Sequence, residues 1–200
     1  MFKTLTALLL AVLAVTLIGA GVVYFGVINV AADHPHSSPI HALLETVRER
    51  SITARVEGIE LPDLSDPELI RSGAGHYDAM CVACHLAQGV DATELSQNLN
   101  PAPPNLTDPN RPDDPARDFW IIKHGIKATG MPAWGNSMPD PSICGLVALL
   151  EQLPLLTAME YRALVATGVG HQHTGGEMGL IDRGDEHRDE TESPAQHEPE

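Results

Sequence analysis

Basic residues are scarce in this chain: twelve Lys and Arg stand against twenty-seven Asp and Glu, a formal charge of −15. A nucleic-acid binder needs a basic face to neutralise phosphates, so the balance argues against that class. It argues equally against an anionic lipid surface as docking site for the folded part. Aromatics are few as well, with two Trp, three Tyr and three Phe in 200 residues. A core of ordinary size must then lean on Leu, Ile, Val and Ala, or on a large apolar group that is not an amino acid. Cysteine is limited to three, so no second pair exists to complete a four-ligand structural zinc site. No segment reads as a strand, and no internal repeat is visible. The length suits one small domain with appendages.

What the chain does have begins at its N-terminus. No charge occurs between Lys3 and Asp33, a run longer than the ~20 residues that cross a bilayer core as a helix. Lys3 on the short side favours a cytoplasmic N-terminus with the remainder exported. Val30-Ala31-Ala32 offers the rival reading of a signal-cleavage site, but a signal core spans only about 7–15 apolar residues. Residues 1–32 are therefore expected to form a transmembrane anchor.

Residues 33–65 read as a linker carrying an amphipathic helix over 40–56, with Glu and Arg on its polar side. Ser65 and Glu68 have capping-box spacing, with Pro67 in the first turn, and predict a helix over 67–80. Residues 86–118 form a long irregular connection. Six prolines fall between 101 and 115, and loops of that length usually wrap something. A short helix follows in "PARDFWIIKHGI", stopped by Gly125. Further helices are expected over 140–154 and 158–166, the last boxed by Thr157 and Glu160. Residues 168–200 are expected to be a disordered acidic tail, with nine acidic and two basic residues from 171 onward. The folded part, residues 66–167, is all-α.

The helix over 67–80 runs straight into Cys81-Val82-Ala83-Cys84-His85. On a helical turn, positions i, i+3 and i+4 share one face. Two thiols one turn apart reach two substituents on the edge of a flat ring, and an adjacent imidazole points at its centre. This is the spacing of covalent c-type haem attachment. A thioredoxin-like redox pair expects a strand before the motif, and a structural disulfide leaves His85 unexplained. A second axial ligand is offered by Met131 in "ATGMPAWG", a loop methionine between Gly130 and Pro132. A soft thioether opposite histidine is the electron-transfer pairing. Met138 is the rival. Met80, beside the cysteine pair, cannot easily cross to the far face.

Together, "GAGHYDAMCVACH", "PPNLTD", "FWIIKHGI" and "TGMPAWG" resemble the class I c-type cytochromes, most nearly the bacterial, oxidase-subunit-like branch, over about residues 66–154. The resemblance implies one haem c, with Cys81 and Cys84 as thioether cysteines and His85 and Met131 as axial ligands. Gly73 and Tyr77 match the pair at which the first and last helices cross. Pro104 matches the carbonyl that accepts from the proximal imidazole, and Leu106, Trp120 and Trp134 match haem-pocket positions, the Trp120 indole reaching toward a propionate. Two departures stand out: Leu86 follows His85 where the family usually has Gly, and Cys144 sits where an aromatic is common.

Four functions compete. The first is a monohaem electron carrier tethered to the bacterial inner membrane, its domain in the periplasm and its redox donor and acceptor in or at that membrane. It would not itself be an enzyme. The second is a cytochrome subunit of a larger oxidase or dehydrogenase. The third is a haem-based ligand binder with a weak Met131 bond. The fourth is divalent-metal handling by His34, His36 and His41 outside the membrane, or by His171, His173, His187 and His197 in the tail. From 33 to 170 the chain carries nine basic and eighteen acidic residues, so a docking partner should be basic or apolar at its contact. Lys123 and Lys127 could supply a local positive rim.

Overall fold

The computed structural model describes residues 2–168, and all regular elements among them are helical. The expected acidic tail, with its four histidines, lies almost wholly outside the described residues.

Helix α1 (Phe2–Tyr24) is 23 residues long, contains an 18-residue window with a mean hydropathy of 2.5, and has no residue buried against the rest of the chain. At 1.5 Å per residue it spans roughly 34 Å, enough for a ~30 Å hydrocarbon core. After a non-helical segment comes α2 (Ser38–Val56), with Pro39 in its first turn. It is more than a spacer. Its second half lies against α6 (Pro115–His124), burying Ile52 and pairing Glu49 Oε2 with Arg117 Nη2 at 2.6 Å.

Helix α3 (Pro67–Met80) spans the expected 67–80, but its capping residue is not Ser65. Asp66 is the cap, and its carboxylate accepts from Glu68 N at 2.9 Å. Ser65 instead donates its hydroxyl to Asp63 Oδ1 at 2.7 Å. The reason is Pro67: its ring fixes the first helical φ, so the residue just before it takes the capping position. Cys81 joins α3 to the single turn α4 (Val82–His85).

The long connection contains one element that the sequence did not announce, α5 (Glu94–Asn98). A capping box of Thr93 and Ser96 starts it, and the Thr93 hydroxyl also donates to Ala83 O next to the cysteine pair. Further on, Arg111 pins the proline-rich segment to the domain. Its guanidinium meets Asp118 Oδ2 at 2.7 Å, Glu151 Oε1 at 3.4 Å and Leu150 O at 3.3 Å.

After α6 and a 3₁₀ turn at Trp134–Asn136 come α7 (Asp140–Gln152), a second 3₁₀ turn and α8 (Ala158–Thr167). The Thr157–Glu160 box opens α8 as expected, with Thr157 N donating to Glu160 Oε2 at 2.7 Å. From Ile143 to Leu150 every residue of α7 is buried, which makes it the centre of the core. Helix α3 crosses it at Gly73 and Gly145. A Cβ on Gly73 would stand 1.9 Å from Gly145 O, so α3 has no room for a side chain at the crossing, while a Cβ on Gly145 would need its neighbours at 3.1 and 3.2 Å to yield slightly. Helix α8 packs on α3, with Tyr161 edge-on to Tyr77 at 6.4 Å between ring centres.

Candidate functional site

The site is assembled where α3 ends. Cys81 N donates to Tyr77 O at 2.8 Å, and Cys84 N and His85 N donate back to Cys81 O at 3.0 and 2.8 Å. The two thiols therefore sit one helical turn apart with His85 beside them. Both are free, and both are half-buried. Burial pushes the Cys81 thiol up to about 12, with the nearby Cys84 adding to the rise. A thiolate nucleophile or redox pair needs the opposite shift. Cys144 is buried on α7 and pairs with neither.

His85 Nδ1 lies 2.8 Å from Pro104 O, and Leu106 N donates to His85 O at 3.2 Å. The "PPNL" segment thus clamps His85 through both side chain and backbone. An imidazole that donates from Nδ1 to a carbonyl keeps its lone pair on Nε2, the tautomer that ligates. Burial lowers the His85 pKa, partly offset by the Pro104 carbonyl, which keeps the ring neutral near pH 7.

Leu86 ends α4 with φ 63 and ψ 173, a region that essentially only glycine occupies without strain. The backbone turn expected of a glycine is therefore kept with leucine in place. It is held by Leu86 N to Val82 O at 3.0 Å and by the Tyr77 hydroxyl, which donates to Leu86 O at 2.6 Å.

Met131 lies on the loop between α6 and the first 3₁₀ turn. Gly125, at φ +64, ends α6, and a Cβ there would stand 2.7 Å from Met131 O. The loop is knit by Ile126 N to Met131 O at 3.3 Å and Met131 N to Thr129 Oγ1 at 3.1 Å. Gly130 abuts the Leu99 side chain just after α5, which ties the methionine loop to the long connection. Met131 is partly exposed, whereas Met138 is sealed in the core at 2% exposure. Met80, Leu106 and Trp134 are partly buried and pack on the same core. Trp120 does not join them: it lies half-buried against His124 on α6, ring centres 5.0 Å apart.

Among the described residues no group of three or more His, Cys, Asp or Glu side chains is placed to hold a metal ion, so His34, His36 and His41 do not converge on one. Residues 68–150 match the family described as cytochrome C oxidase, cbb3-type, subunit III. The match supports a class I c-type cytochrome domain of the oxidase-subunit-like kind over this segment. The match runs from α3 to α7, leaving α1, α2 and α8 outside it. No curated protein and no solved structure matches the chain.

The donor set fits the haem that this cytochrome domain implies. Two free thiols on one turn suit thioether bonds, and a neutral imidazole with Nδ1 engaged suits iron. Sequence reasoning missed Gly145, the Tyr77 hydroxyl and Arg111. Only Gly145 left a signal, a glycine inside an apolar helix seventy-two residues after Gly73.

Proposed function

We propose that this chain is a membrane-tethered monohaem cytochrome c that carries single electrons between redox partners in or at the bacterial inner membrane, its domain on the periplasmic side. The observation that carries the reading is the His85 Nδ1–Pro104 O bond of 2.8 Å beside two free thiols one turn apart. The cytochrome family match supports it.

Bound haem supplies a one-electron ferric/ferrous couple. Cys81 and Cys84 would hold it through thioether bonds, each thiol adding S and H across one vinyl group. His85 would ligate the iron through Nε2, with Pro104 fixing the ring and strengthening its basicity through Nδ1. Met131 would supply a thioether, a soft ligand that favours the ferrous state. Met138 is unsuited, since its side chain is already core. Leu106 and Trp134, partly buried against the core, would limit water beside the bound group and so raise its potential further. Held by His85 and Met131 together, the iron would have no free position for substrate, and the protein would act as a carrier.

A second reading is a permanent cytochrome subunit of a membrane oxidase, favoured by the subunit III description of the matched family. The site chemistry is the same in both.

The test is a visible spectrum of the full chain produced with a haem-attachment system. Haem that stays bound through denaturation, with a weak long-wavelength sulfur-to-iron band in the oxidised form, is the expected result. Covalent haem without that band would refute the Met131 assignment and open the iron to ligands. Co-purification of a stoichiometric membrane partner would favour the subunit reading over the free carrier.

A further inference from the structure

Helix α2 has two apolar faces, and only one is used. Ile52 turns toward the domain, where α2 meets α6. Ile40, Leu43, Leu44 and Val47 repeat at i, i+3, i+4 and i+7 on a different stripe in the first half of the helix, each half or more exposed. That half carries a single carboxylate, Glu45, which pairs with Arg48 at 3.5 Å and approaches His41 at 3.8 Å. The preceding segment is also apolar and exposed, at Phe25, Val27, Ile28 and Val30.

Chain connectivity says what lies beside this stripe. Ala32 O accepts from the Asn100 amide at 2.8 Å, which fastens the segment after α1 to the domain. Ala32 is eight residues beyond Tyr24, so Asn100 lies at most about 28 Å from the end of α1, and less where the chain turns. Turns at Phe25–Val27, closed by bonds back to Gly21, Val22 and Val23, shorten that reach. Six residues after Ala32, α2 begins. A domain held this close to a membrane helix has the bilayer surface as its neighbour at high effective concentration.

We infer that the Ile40–Leu43–Leu44–Val47 stripe of α2 rests in the bilayer interface. It lays the first half of α2 on the lipid and turns the Asn100 flank of the domain, next to Leu99 and the Met131 loop, toward the membrane. The occupant is lipid, engaged through apolar contact and proximity. Net charge plays no attractive part, because the folded region is acidic, so the contact does not depend on anionic lipid. The inference rests on reading α1 as a membrane span.

The test uses the full, haem-loaded chain in phosphatidylcholine vesicles, with and without phosphatidylglycerol. Cys144→Ala removes the remaining free thiol, and single spin labels are placed at Leu44→Cys, at Thr53→Cys on the polar side of α2, and at Val15→Cys within α1. Relaxation by dissolved oxygen and by a water-soluble nickel chelate then reports depth. The visible spectrum of each variant checks folding. The expected result is a Leu44 label relaxed several-fold more by oxygen, relative to the chelate, than the Thr53 label, in both lipid mixtures. A Leu44 label as open to the chelate as Thr53, with the Val15 label in lipid, overturns the inference while the anchor stands. A Leu44 label shielded from both reagents, with dipolar broadening that disappears on dilution in lipid, assigns the stripe to a second copy and also overturns it. A Val15 label in water refutes the anchor, and the inference falls with it.

Discussion

Gly73→Ala should be the most damaging single methyl group that can be added to this domain. The new Cβ would stand 1.9 Å from Gly145 O and 2.4 Å from its carbonyl carbon, both backbone atoms that cannot swing aside. Ordinary contact needs ~3.5 Å, so α3 and α7 must part by on the order of 1.5 Å at their crossing. Overpacking of a close-packed core costs about 1–3 kcal/mol where side chains can adjust, and more where they cannot. Against this, alanine is worth about 1 kcal/mol over glycine inside a helix. The net expectation is a loss of ~2–3 kcal/mol. Gly145→Ala is the internal comparison: its Cβ would meet Leu69 O at 3.1 Å and Gly73 N at 3.2 Å, so a few tenths of an ångström of yielding suffices. Guanidinium unfolding of the haem-loaded full chain in detergent, followed by far-UV circular dichroism, gives both values. Because α3 carries Cys81 at its end, the Gly73 variant should also weaken the long-wavelength sulfur-to-iron band. A Gly73→Ala protein within ~0.5 kcal/mol of the parent, or less affected than Gly145→Ala, would refute the close crossing as the determinant.

Met131→Ala should abolish the sulfur-to-iron band and lower the reduction potential by on the order of a few hundred mV, read by redox titration. Met138→Ala should do the reverse, keeping the band while costing about 2–5 kcal/mol of stability on denaturation, since its side chain is sealed in the core. Glu151 is held up at about 7 by burial and by Asp113, against an ordinary 4.5. A carboxyl whose folded pKa is raised binds its proton more tightly when folded, so its contribution is full below pH 4.5 and is lost as pH rises toward 7. Glu151→Gln should therefore flatten that part of the stability–pH curve, and an unchanged slope would refute the assignment.

How much of this was legible in the sequence depends on how local each cause is. The cysteine–histidine turn was readable because helical spacing alone puts three side chains on one face. The first helix was readable because charge is absent over a bilayer's length. The methionine loop was readable from Gly130 and Pro132, which forbid a regular element around Met131. Helix α5 was not, because its box uses Thr93 and Ser96 in a polar stretch with no periodic apolar face. The docking of α2 was hidden for a related reason. Its conspicuous stripe, Ile40 to Val47, is the one left exposed, while a single isoleucine and one ion pair secure the other side. Phe119 and Ile122 take the core face of α6, and Trp120 lies beside His124, a placement that side-chain spacing on one short helix could not rank in advance.

Leu86 shows how a departure from the family pattern is absorbed. A leucine at φ 63 costs on the order of 1–3 kcal/mol, and that strain persists only where the surroundings over-determine the backbone. Here the surroundings are identifiable. The Tyr77 hydroxyl holds Leu86 O, and burial raises the Tyr77 pKa so that this hydroxyl remains a donor across the ordinary pH range. Tyr77 sits one turn beyond Gly73 on α3, against Tyr161 of α8, whose own hydroxyl is fixed on Asp78 Oδ1 at 3.0 Å. The turn after His85 is therefore anchored to the same helix crossing that sets the core. Anything that loosens the crossing releases the strained turn, and with it the orientation of His85. Stability of the α3–α7 contact and orientation of His85 are one property of this domain.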